Sequence, residues 1–225
     1  MNTDIRHSMG LTLSFLALFA VAEVLRKKFN TRVEITRKLV HLGTGFISLL
    51  FPLILSNHWY VLALCAGFAL LLNLSLKLHI LQSVNAIERD SVGSITYPVS
   101  VYGCFLAYDY FDHQYNYFYL PILILAICDP VAALCGKRWP LGPYRVGKDT
   151  KTLMGSGMFF LSAMVLIVVL IKLNGTTAAT YKLAIGSVVI ALVSTVTEAF
   201  SRRGYDNLTI PASVLISFTI LKAVL

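Results

Sequence analysis

The sequence predicts an all-α integral membrane protein, a bundle of about eight transmembrane helices, and three observations carry that prediction. Mean hydropathy is +0.74 over 225 residues, with 57% hydrophobic and only 13% charged residues. A soluble domain carries roughly 25% charged residues. Apolar runs of spanning length recur from end to end, and the basic residues gather between alternate runs.

The first run, 9–25, follows MNTDIRHSMG and has the general form of a secretory leader. Glu23 and the cluster Arg26-Lys27-Lys28 close it where a small-residue cleavage site would lie, so it reads as a retained helix. The next two runs, 39–56 and 59–76, are separated by a short polar break around Ser56-Asn57-His58. Residues 77–91 place Leu78, Leu81 and Ile87 at near-helical spacing, and extend the third span or form a short interfacial helix. The run 95–111 is the least apolar, with Pro98, Gly103 and Asp109; the runs 117–136, 156–173, 181–200 and 208–225 complete the set. Each has 17 to 20 residues, enough to cross about 30 Å of hydrocarbon as a helix. Helix is required because unpaired backbone amides are too costly in lipid.

Charge sets the count and the side. With eight spans, one set of loops holds 15 of the 19 basic residues, leaving Arg6, Lys172, Lys182 and Lys222 opposite. Without the fourth span, the five basic residues of 137–151 would fall opposite the first basic cluster. The positive-inside rule therefore predicts eight spans, cytoplasmic motif loops and both termini outside. No internal repeat or linker divides the chain, which reads as a single transmembrane domain over residues 1–225. A bacterial inner membrane is favoured over an endoplasmic reticulum or organelle membrane. The net charge of +8 fits basic loops and an anionic ligand better than nucleic acid. The four cysteines form no CxxC pair and read as small packing residues. Asn174-Gly175-Thr176 matches a glycosylation triplet of the kind that arises by chance.

The polar residues cluster on the cytoplasmic side. Arg37 and His41 are four apart and share a helix face, with Lys38 beside them and Gly43 and Gly45 beyond. Gly93-Ser94-Ile95-Thr96-Tyr97-Pro98 opens the fourth span. Asp129 lies inside an apolar segment, where a carboxylate costs about 2.5–3.5 kcal/mol on insertion scales, so a functional role is the stronger reading. Ala132, Gly136, Lys137, Arg138, Gly142, Gly147, Lys148, Lys151, Thr152, Gly155 and Ser156 follow it. Basic residues interleaved with glycines suit phosphate. Gly142 to Lys148 fits the start of a Walker A loop, but Asp149 stands where Ser or Thr should ligate magnesium and no soluble strand precedes it. Glu198, Asp206 and Asn207 complete the set. Three acids beside many cations point to a divalent metal with a polyphosphate, since magnesium takes one or two carboxylates and fills its remaining positions with phosphates and water.

These segments, in this order, resemble the CTP-dependent lipid kinase family that includes dolichol kinase, phytol kinase and the yeast-type diacylglycerol kinase. The matching stretches are Arg37-Lys38-x-x-His41, Gly93 to Pro98, Asp129-x-x-Ala132-x-x-x-Gly136, Lys151-Thr152-x-x-Gly155-Ser156, and Glu198 through Asp206-Asn207 to Pro211. One departure is Met154, where the family usually has an acid. The resemblance implies transfer of the terminal phosphoryl group of CTP, with ATP as the other candidate donor, to the hydroxyl of a membrane alcohol: phytol, a polyprenol or diacylglycerol. It implies Mg2+ on Asp129, with Glu198 and Asp206 as further ligands, and one of these carboxylates as proton acceptor. Lys137, Lys148 and Lys151 are expected to hold phosphates and Asn207 to orient a phosphate or the base. Arg37 with Lys38 and His41 would close the site, beside Gly136, Thr152 and Gly155. Two other readings stay open: a phosphatidate cytidylyltransferase, and a small transporter or lipid scrambling protein using the intramembrane acids as ion sites. Oligomeric state leaves no trace in the sequence.

Overall fold

The computed structural model describes residues 3–78, 80–85, 92–147, 149–173 and 180–224. The apolar runs form helices α1 (Thr3–Phe29), α2 (Val33–Ser48), α3 (Phe51–Ile54), α4 (His58–Lys77), α5 (Gln82–Asn85), α6 (Gly93–Tyr110), α7 (Asn116–Leu123), α8 (Asp129–Arg138), α9 (Leu153–Leu173), α10 (Thr180–Phe200) and α11 (Asp206–Val224). A π-helical stretch, Ile124–Cys128, joins α7 to α8 into one rod. Pro52 lies in the first turn of α3, at the break that separates it from α2.

Among the described residues six stretches are long and apolar enough to cross a membrane: Thr3–Phe29, Val33–Ile54, His58–Lys77, Asn116–Arg138, Leu153–Leu173 and Tyr181–Phe200. The expected fourth and eighth spans are also long helices, α6 and α11, with Asp109 in α6 and Asp206 and Lys222 in α11. Both pack along the others, α6 against α4 and α11, and α11 against α10 and α7. Several boundaries move outward from the apolar runs. Most important, α2 starts at Val33 instead of 39, so Arg37 and Lys38 are helical and not loop residues. Hydropathy marks the hydrocarbon-facing part of a helix, whereas the helix itself continues into its polar flank.

The rod from Asn116 to Arg138 is central. Its apolar window is 61% buried, against 22–28% for the other five candidate spans. Leu120, Ile122, Ile124 and Leu125 are completely enclosed. Outer helices turn bare leucine and valine outward, with Leu70 at 71% and Val165 at 65% exposure. An apolar surface on that scale requires lipid as solvent.

The loop between α8 and α9 contains a feature the sequence did not announce. Strands β1 (Pro143–Val146) and β2 (Asp149–Thr152) pair antiparallel, with Val146 opposite Asp149. Within the Walker-like stretch, Pro143–Val146 therefore form one strand of a hairpin. Gly147 takes a left-handed backbone (φ 61°), and a Cβ there would lie 2.5 Å from Arg202 Nη1. Of the expectations above, Lys148, Asn174 and residues 86–91 fall outside the described residues; residues 82–85 form the short helix α5.

Candidate active site

Asp129 opens α8 directly after the π-helical stretch. Pro130 has no N–H, so in π register the Leu125 carbonyl loses its helical donor. His41 Nε2 donates to that carbonyl at 3.1 Å, and Tyr97 packs edge-on against the His41 ring at 5.1 Å. Lys38, three residues before His41 and so on the same face of α2, sets its Nζ 2.5 Å from Asp129 Oδ2; His41 Nε2 is 3.9 Å from that oxygen. Side chains at 13–14% exposure make this a nearly enclosed ion triad. Close approach of α2 depends on Gly45, where a Cβ would lie 2.4 Å from the Ala126 Cβ.

A second enclosed pair stands near the first. Lys151, on β2, places Nζ 2.6 Å from Glu198 Oε1 near the end of α10 and also donates to the Glu198 carbonyl. Glu198 Oε2 is buried and has no hydrogen-bond partner among the described residues. Asp206 begins α11, with Oδ1 accepting the Asn207 N–H at 3.0 Å. Burial, then the neighbouring Asp129 charge, push the Asp206 carboxyl above the usual carboxylate range.

The small residues near these acids have a packing role. A Cβ on Gly136 would lie 2.6 Å from Thr152 Oγ1, and one on Gly155 would lie 3.0 Å from the Ala132 carbonyl. The hydroxyl of Thr152 accepts the Gly155 N–H at 3.0 Å, capping α9. The spacing Ala132-x-x-x-Gly136 against Thr152-x-x-Gly155 is thus a close crossing of α8 and α9 that aims Asp129 and Lys151 at one space. Gly136→Val is expected to push these helices apart and destabilise the protein by about 1–3 kcal/mol. Thermal unfolding in detergent measures it, and an unchanged midpoint would refute the crossing.

Two cavities meet at the acids. One, of about 910 Å³, has charged and small polar walls, with Lys137, Lys151, Arg202 and Arg203 alongside Glu34, Asp149 and Glu198. The other, of about 160 Å³, has His41 and Asn207 at its polar end and Phe19, Val40, Leu72 and Leu76 along its walls. Arg37, Lys38, Asp129 and Asp206 line both.

The sequence-predicted residues therefore converge, with some redistribution. Glu198, Gly136, Lys137, Lys151, Thr152 and Gly155 belong to the larger cavity; His41 and Asn207 belong to the smaller. Lys137 is the most open, paired with Glu34 across the cavity edge. Lys38, expected as a flank of Arg37, is the direct partner of Asp129. Among the described residues no three His, Cys, Asp or Glu side chains are grouped closely enough to hold a metal alone. The oxygen donors still suit magnesium. One oxygen of Asp129 and one of Glu198 are held by lysines, and Glu198 Oε2 is a buried oxygen without a partner among the described residues. Met154 lines neither cavity; its N–H donates to the Leu141 carbonyl at 3.3 Å where α9 begins.

Over 215 residues, 94% of this chain and 90% of the relative, the sequence is 33% identical to a phytol kinase from Synechocystis sp.. The chain belongs to the polyprenol and phytol kinase family. No protein-family model and no solved structure matches it. For this family member, sequence reasoning missed Glu34, Tyr97, Arg202 and Arg203 as site residues. Arg202 and Arg203 carried a signal, being basic residues three and four positions before Asp206. Tyr97 carried one too, inside the Gly93 to Pro98 motif, whereas Glu34 carried none, because its partner Lys137 lies far away in the chain.

Proposed function

We propose that the protein is a membrane lipid kinase that transfers the terminal phosphoryl group of a nucleoside triphosphate, CTP by family resemblance, to the hydroxyl of a long-chain alcohol of the phytol or polyprenol type. One observation carries this reading: a charged cavity that mixes basic residues with carboxylates and an apolar-walled cavity share Arg37, Lys38, Asp129 and Asp206. A kinase of a lipid has to bring a polyanion from water and an alcohol from the bilayer to one point, and these four residues are that point.

The nucleotide phosphates occupy the larger cavity, held by Lys151, Lys137, Arg202 and Arg203. Magnesium would be held by Asp129 and Glu198, and when bound it neutralises charge on the phosphate oxygens. Asp206 lines both cavities and has no ion pair among the described residues, so it accepts the proton of the alcohol. The alcohol oxygen bonds to phosphorus as the bond to the bridging oxygen breaks, and the nucleoside diphosphate leaves. Lys38 and Arg37 hold the transferring group between the two cavities. His41, tied to the Leu125 carbonyl, fixes α2 and so positions Lys38.

The positive-inside rule supports a cytoplasmic site, with eight crossings, both termini outside and one transmembrane domain as the topology that goes with it. A detergent assay of purified protein with magnesium and γ-labelled CTP or ATP, offering phytol, a polyprenol and diacylglycerol, tests the reading. Label in an organic-phase lipid is expected. Pyrophosphate release with phosphatidate and CTP, and no labelled lipid, would make it a cytidylyltransferase instead.

A further inference from the structure

The smaller cavity does not end at its apolar wall. It shares Phe19, Thr44, Leu72 and Tyr97 with a third cavity of about 50 Å³, whose described walls carry no charged residue. Beyond those shared residues, the walls advance one helical turn on each of four helices: Phe19 to Phe15 on α1, Thr44 to Ser48 on α2, Leu72 to Phe68 on α4, and Tyr97 to Val101 on α6. One turn is about 5–6 Å of rise. Along α2 the step runs away from Arg37 and Lys38, and along α6 it runs away from the helix start at Gly93 and Ser94, which lines the smaller cavity. Along α1 and α4 it runs away from their basic ends, Arg26-Lys28 and Lys77. All four steps therefore lead in one direction, away from Asp129 and into the bundle. From Arg37 to Ser48 the path along α2 covers about 16 Å.

We infer that this pair of cavities is a channel for the hydrocarbon chain of the acceptor, running parallel to the helices inside the protein, and that it selects alcohols with one chain over two-chain lipids. The inference rests on the lipid-kinase reading and names the substrate class of that site. Three features carry it. The polar end holds the residues shared with the larger cavity, so a hydroxyl there faces the phosphates while the chain points inward. The distal part is narrow and bounded by an aromatic cluster, with the Phe15 and Phe68 rings 4.7 Å apart and the Phe15 and Phe51 rings 6.1 Å apart. The depth matches the bilayer, because the channel descends from the charged end into helix segments that hydrocarbon surrounds. A diacylglycerol branches at its glycerol, directly beside the hydroxyl, and brings a second chain to the point where Phe19 and Leu72 close in.

Leu72 stands where the two cavities join, and substitution there acts on chain length in opposite directions. The experiment measures kcat/KM for phytol, geraniol and dioleoylglycerol with the intact protein in detergent, for wild type, Leu72→Trp and Leu72→Ala. Wild type is expected to prefer phytol to dioleoylglycerol by about tenfold or more. Leu72→Trp fills the junction and is expected to lower the phytol-to-geraniol ratio by about tenfold, because the short chain ends before the obstruction. Leu72→Ala widens it and is expected to hold or raise that ratio and to bring dioleoylglycerol closer to phytol. A ratio unchanged in both variants, or equal turnover of dioleoylglycerol and phytol by wild type, overturns the channel while leaving the kinase reading intact. Should Leu72→Trp fail to fold, the acceptor profile of Leu72→Ala decides alone. No labelled product from any alcohol in wild type overturns the kinase reading, and the channel with it.

Discussion

Asp129→Asn is expected to lower turnover by about a thousandfold while leaving a folded, membrane-inserted protein. The substitution keeps the size of the side chain and its place at the start of α8, but removes the charge that faces both cavities. What remains is Lys38, whose ammonium sits 2.5 Å from the former carboxylate and 14% exposed. A long flexible stem lets that ammonium move toward the larger cavity and its water, so the loss of one partner is tolerable on this side. The converse substitution differs. Lys38→Met leaves Asp129 as an uncompensated charge beside apolar helices, and breaking an enclosed pair in that way costs about 3–5 kcal/mol. The expected pattern is asymmetric: Asp129→Asn loses activity and keeps its unfolding midpoint, whereas Lys38→Met loses both. Labelled-lipid formation and thermal unfolding in the same detergent read the two quantities. Near-normal turnover in Asp129→Asn would remove this carboxylate from the chemistry.

That asymmetry also shows which parts of the site a sequence can display. Asp129 is visible as an acid in an apolar run, because its cost in lipid needs a reason. Its partner is not visible, since Lys38 lies 91 positions away and any of the cationic residues near the helix ends could have filled the role. The apolar runs give the long helices almost directly, because lipid allows few alternatives to helix. They do not give helix ends, so Arg37 and Lys38 read as a loop flank when they lie on the second turn of α2. Glycine and threonine at Gly136, Thr152 and Gly155 look like a phosphate cradle in one dimension. In three dimensions they line the larger cavity and also form the surface where α8 crosses α9, which aims other side chains. The hairpin of β1 and β2 escaped notice because its strands are only four residues each and carry little apolar alternation. The π-helical turn left one trace, Pro130 immediately after the acid, whose missing N–H frees the carbonyl that His41 holds.

Lys151→Met is expected to lower kcat/KM for the nucleotide by about 10–100-fold and to leave the KM for the alcohol unchanged. Lys151 Nζ spends two of its three donors on Glu198, one on the carboxylate at 2.6 Å and one on the carbonyl. Those contacts fix the ammonium at the wall of the larger cavity and leave one donor for a phosphate oxygen. A hydrogen bond to a charged group contributes about 1.5–3 kcal/mol, which sets the size of the expected loss. Glu198 would then lose its cation as well as the phosphate losing its donor. Glu198→Gln separates the two effects, because it keeps a side-chain oxygen near Lys151 while removing the charge proposed to hold magnesium. Its expected signature is a higher magnesium requirement, with a smaller change in nucleotide KM than Lys151→Met gives. The alcohol is the internal control: Lys151 lines the larger cavity and not the apolar-walled one. Equal shifts in the KM of nucleotide and alcohol would mean that the two cavities do not divide donor from acceptor, and the shared residues would no longer mark the point of transfer.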